Sequence, residues 1–127
     1  MIYTLLVLSS GHGARTAYRF AQAALARGHD IERIFFLDEG TTTGSQAAVY
    51  PQDEESRLQP WVELATHHGV ELVLCISSAL KRGILDAGEA ERYEKPAATA
   101  HPAFVISGLG QLIDASAKAD RLMTFAR

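Results

Sequence analysis

Cysteine is all but absent from this chain of 127 residues: there is one, Cys75. A lone thiol closes no internal disulfide, so the fold rests on its core, and a reducing, cytoplasmic setting is expected. Basic residues are scarce as well, with 12 Lys and Arg against 15 Asp and Glu for a net charge of −3. That balance supplies no basic face for direct nucleic-acid binding. No membrane-length apolar run is present. The apolar opening, Met1–Ser10, meets Gly11-His12-Gly13 at once and fits a core strand, with no targeting segment and no membrane contact expected. Repeats, low-complexity tracts and interdomain linkers are missing, which predicts one domain over residues 1–127.

Several chemical signatures are missing too. The histidines (His12, His29, His67, His68, His101) come without CxxC, HExxH or paired-ligand spacing, so no metal site is expected. There is no Gly-x-Ser-x-Gly elbow for an esterase. Asp38 and Glu39 form a carboxylate pair, but nothing accompanies them to support glycosidase chemistry. The segment GHGART lacks both the third glycine of a dinucleotide fingerprint and the Gly-Lys-Ser/Thr of a P-loop. A plain turn into a helix is the better reading of Gly11–Gly13, with flavin or nucleotide binding a minor alternative and no cofactor expected.

What is present is alternation of short apolar runs with helical patterns. Ile2–Leu8, Ile31–Asp38, Glu71–Ile76, Ala103–Ser107 and Arg121–Phe125 read as strands. Between the first two, Ala17, Phe20, Ala21, Ala24 and Leu25 make one helical stripe within Ala14–Arg27, with Gly28 at the C-terminal cap. A second helix carries Leu58, Trp61, Ala65 and His68 on one face, has Pro60 near its start and stops at Gly69. Ser77 and Ser78 are N-cap candidates for a turn Ala79–Arg82, Asp86 and Glu89 resemble a capping box, and Gln111–Ala119 is a last helix. This pattern predicts an α/β fold: a three-layer α/β/α domain on a mainly parallel five-stranded sheet, with right-handed crossovers. The polar stretch Glu39–Glu55 is long for an ordered loop and suggests a mobile cover or a subunit contact.

In such sheets reactive groups gather beyond the carboxyl ends of the strands. Cys75 falls there, before a helix start and one turn ahead of Lys81 and Arg82, a setting that favours the reactive thiolate. The competing reading is a buried, inert cysteine, the commoner fate of free thiols. His12 can reach the same region, but a solvated loop histidine is the simpler account.

The segments FAQAALARGHDIERIFFLDEG, HHGVELVLC, CISSALKRGI and FVISGLGQLIDASAKADRLMTF together resemble the DsrE/TusD family of sulfur-relay proteins along nearly the whole chain. The resemblance implies a sulfurtransferase in which Cys75 is the catalytic residue, carrying sulfur as a persulfide. It also implies assembly with two smaller paralogous subunits into a heterohexamer, a small sulfur-donor carrier protein and a sulfur-acceptor protein. The implied destination is 2-thiouridine at the tRNA wobble position, with dissimilatory sulfur oxidation or a non-catalytic structural subunit as alternatives. The first loop, SSGHGA, departs from the family's form, so His12 and Arg15 inherit no role.

Overall fold

The segment IERIFF does not alternate simply, yet Ile31, Ile34, Phe35 and Phe36 are all buried. The computed structural model, which describes residues 1–127, explains this through a register shift between β1 (Ile2–Val7) and β2 (Asp30–Phe36). Tyr3 pairs with Ile31 and Thr4 with Arg33, so Glu32 is the extra residue. A one-residue shift reverses which side of the sheet each later side chain faces. Ile31, Ile34 and Phe36 therefore share one face, while Arg33 and Phe35 lie on the other.

The chain continues through a 3₁₀ segment (Asp38–Gly44), α2 (Gln59–His68), β3 (Leu72–Cys75), α3 (Ile76–Lys81), α4 (Ala87–Arg92), β4 (Phe104–Ser107), α5 (Gly110–Lys118) and β5 (Arg121–Phe125), with α1 (His12–Ala26) between the first two strands. The strand order is β4-β3-β2-β1-β5, and every neighbouring pair is parallel. Helices α1 and α2 cover one face. There Leu5, Val7, Phe36, Leu72 and Leu74 meet Ala17, Ala21, Trp61 and Leu64 in a core of 17 buried residues. The alanines let α1 lie close to the sheet, and Tyr18 and Phe36 meet the Trp61 ring edge-on. Helix α5 alone covers the other face, completing the three-layer α/β/α fold.

Element bounds agree with the sequence pattern to within a few residues, and two details differ. In α2 the buried face holds Trp61 and Leu64, while His68 is exposed, because Gly69 turns the chain away at φ 66° just after it. Helix α3 starts one residue after Cys75, which is itself the N-cap; Ser78 accepts the Asp38 N–H at 3.0 Å instead of capping. The Asp86 carboxylate accepts the Glu89 N–H at 2.8 Å, the forward half of a capping box.

The polar stretch after β2 divides in two. Its first part is the 3₁₀ segment, with Gly40, Thr41, Thr43 and Gly44 buried. Gly40 packs its Cα against the Val7 carbonyl, where a Cβ has no room. Backbone bonds from Gln46 to Thr99 and from His101 to Gly44 then tie the segment to the stretch leading into β4. Residues 46–55 run along the surface.

Candidate active site

Cys75 ends β3, a strand whose four residues are all buried, and its extended backbone (φ −62°, ψ 123°) turns the chain directly into α3. The thiol is free and only 3% exposed. It clusters with Phe35 and Val73, and the half-buried Leu6, Leu37 and Leu112 pack around them. Its long polar contact is the Ser77 hydroxyl, at 4.0 Å. Cys75 is thus on the α5 side of the sheet, at the carboxyl ends of the strands.

Two helix starts adjoin it. Cys75 is the residue from which α3 grows, so the first free amides of that helix follow the thiol directly. In the neighbouring strand Ser107 lies opposite Cys75, and Gly108–Leu109 lead into α5, whose first turn reaches the cysteine cluster through Leu112. Neither helix has a carboxylate in its first turn or a side-chain cap. The positive ends of both dipoles therefore remain available to a sulfur anion.

The two cations that the sequence places near the thiol lie elsewhere. Lys81 and Arg82 come at the far end of α3, and Arg82 is engaged there. Its Nε donates to Glu39 at 2.9 Å and its Nη1 to the Ser78 carbonyl at 3.1 Å, pinning the 3₁₀ segment to α3. That also accounts for the Asp38–Glu39 pair: Glu39 is a structural anion, and Asp38 takes a left-handed backbone (φ 51°). His12 opens α1 on the opposite side of the sheet from the thiol, away from the cysteine cluster. His29 contacts the terminal amine at 2.9 Å, His101 accepts the Ala103 N–H, and His67 and His68 both border a groove between α1 and α2.

Arg33 is the important residue that the strand pattern hides. It is buried in β2 on the α5 face, donating to the Gln111 carbonyl at 2.8 Å, Glu71 at 3.0 Å and Asp114 at 3.4 Å. Burial opposes its charge, but the hydrogen bonds and charges of Glu71 and Asp114 outweigh that and hold its pKa above the ordinary arginine value. Asp114, bonded first by Lys118 and then by Arg33, is held below the usual carboxylate range. Arg33 thereby clamps α5, and with it Leu112, over the cysteine cluster. A single arginine set among Ile31, Ile34, Phe35 and Phe36 was the available signal.

The chain matches the DsrE/DsrF-like family over residues 1–125. It belongs to that family. DsrE of Allochromatium vinosum is 46% identical over 110 residues, covering 87% of this chain and 85% of its own length. The sulfurtransferase TusD of Serratia proteamaculans is 42% identical over 126 residues, covering 97% and 98% of the two chains. The fold is also that of the ychN protein of E. coli, with a TM-score of 0.70, 18% identity and coverage of 98% and 99%. No helix of this family member is long and apolar enough to cross a membrane. No group of three or more His, Cys, Asp or Glu side chains is placed to hold a metal ion.

Proposed function

We propose that the chain, acting as one sulfurtransferase domain, accepts a sulfane sulfur on Cys75 and hands it to a cysteine of an acceptor protein. The Cys75 thiolate attacks the outer sulfur of a donor persulfide. The donor's S–S bond breaks, a new one forms in Cys75–S–SH, and the donor leaves as a thiolate. In the second step an acceptor thiolate takes the outer sulfur and Cys75 leaves as the thiolate, so no external oxidant or reductant enters. The observation that carries this reading is the position of the chain's single thiol, at the joint between β3 and α3 beside the first turn of α5. Both helix starts would stabilise the anionic sulfur in either form.

Burial of the thiol to 3% favours a second reading, a structural subunit whose cysteine only packs. The carrier reading requires the outer sulfur to be reached past α5, the thin cover of this face. Val105, Leu109, Ile113 and Leu122 stay exposed on or around that helix, which supports partner subunits docking there. The assembly in this reading is a heterohexamer with two smaller paralogues in the cytoplasm, fed by a small carrier protein. The sulfur is destined for wobble 2-thiouridine in tRNA.

Incubation with a persulfide donor followed by intact-mass measurement should add about 32 Da, one sulfur atom, removable by an acceptor thiol. A label that persists in Cys75→Ser would sink the assignment. Failure of native Cys75 to react with either a donor or a thiol reagent would leave the structural reading standing.

A further inference from the structure

A concave feature lies on the face of the sheet opposite Cys75. Between the first turns of α1 and the segment leading into α2 is a cleft of about 640 Å³, within the range of small-molecule sites. Cys75 is not among the residues lining it. The cleft sits beyond the carboxyl end of β1, which lies between β2 and β5 in the sheet. Ligands of open α/β sheets favour that position.

Its charge is unbalanced. Arg15 and Arg19 of α1 and Arg57 line it against one carboxylate, Glu55. The ion pairs of the chain involve Arg33, Arg82, Arg92 and Lys118, so all three arginines of the cleft are without one. Unpaired guanidinium groups gathered in a chain of net charge −3 create a local positive field that favours an anion. Helix α1, 15 residues long, opens on the same cleft. Gly11 is its N-cap, no side chain caps it and its first turn has no acidic residue, which leaves its positive dipole end uncompensated by side chains; the Arg127 main-chain carbonyl packs against Gly13 there.

An independent observation comes from the 3₁₀ segment. Thr43 is 4% exposed and lines this cleft, yet its Oγ1 has no hydrogen-bond partner in the chain. Buried hydroxyls are normally paired. We propose that the cleft binds a small molecule through a phosphate- or sulfate-type oxyanion, held by the first-turn amides of α1, the Thr43 hydroxyl and the guanidinium groups of Arg15, Arg19 and Arg57. A single oxyanion needs neither the dinucleotide fingerprint nor the P-loop that the sequence lacks.

Trp61 lines the cleft and is the only tryptophan, which provides an intrinsic reporter. The full chain would be titrated with inorganic phosphate, thiosulfate and AMP, with ionic strength held constant by NaCl. At least one should give a saturable fluorescence change and raise the melting temperature. Tighter binding of AMP than of phosphate identifies a phosphorylated organic ligand; tighter binding of thiosulfate identifies a sulfur oxyanion. Thr43→Val, and Arg15→Gln combined with Arg57→Gln, should each weaken binding about tenfold or more. Arg19→Gln, an exposed single change, gives the same test if the double variant loses its circular-dichroism spectrum. Non-saturable responses in all three arms, or affinities unmoved in folded variants, would overturn the proposal. Persulfide loading plays no part in the assay, and binding should persist in Cys75→Ser.

Discussion

The two faces of the sheet are built from the same strands and are very unequal. Toward α1 and α2, alternate residues join a core of 17 buried side chains; toward α5, the corresponding cluster is Phe35, Val73 and Cys75. Two helices close the first face, one with a close-packing alanine stripe and the other with Trp61. A single nine-residue helix covers the second and leaves Val105 and Leu122 of the edge strands half-exposed. Stability is therefore concentrated on one side. The thiol lies on the other, beneath a cover held as much by the Arg33 clamp as by apolar contact. Such an arrangement suits a site that must be opened by a partner, since the segments that move are drawn from the weakly packed parts of a fold.

Breaking the thick face should give the largest effect. Trp61→Ala removes a side chain 3% exposed that packs against Phe36 and Tyr18, and should lower unfolding stability by about 3–5 kcal/mol in a urea titration. A loss below about 1 kcal/mol would mean that the two faces contribute alike.

The thin face should respond more locally. Arg33→Ala strands Glu71 and Asp114, but both are nearly half-exposed and can rehydrate, so the expected loss is about 2 kcal/mol, below that for a fully buried pair. Amide exchange should accelerate across α5 while the amides of α1 stay protected. Uniform acceleration would show that α5 is no separate unit.

The smallest effect belongs to Asp114, an exposed carboxylate paired with Lys118 and Arg33. Its folded-state pKa is lowered, so it contributes stability above the ordinary carboxylate value, and that contribution is lost as pH falls through the folded value. Asp114→Asn should thus cost a little stability at neutral pH, with the difference from the parent chain vanishing in acid. A difference that grows toward low pH would contradict the pairing.

Local pattern made much of the molecule legible. The alanine stripe of α1, the left-handed Gly28 after it, the Asp86 cap and the strand–helix alternation all depend on neighbours within a turn or two, and each has its expected form. The lone Cys75 at a strand end stood out for the same reason. Hidden features depended on partners far along the chain. Lys81 and Arg82 follow the thiol closely in sequence, but the direction of α3 carries them to its opposite end, where Glu39 takes Arg82. The bulge at Glu32 could not be read from β2 alone, because a register is a property of two strands.

The sequence by itself determined the class of fold, the order of its elements and the one thiol available for chemistry, since these follow from periodicity and composition. Only the tertiary structure decided the strand order and which face each residue of β2 presents. It alone laid α5 over Cys75 through Arg33, and it alone gathered Arg15, Arg19, Arg57 and Thr43 around one cleft. Those outcomes are set by long-range packing and pairing, whose energies act between residues that the linear chain keeps apart.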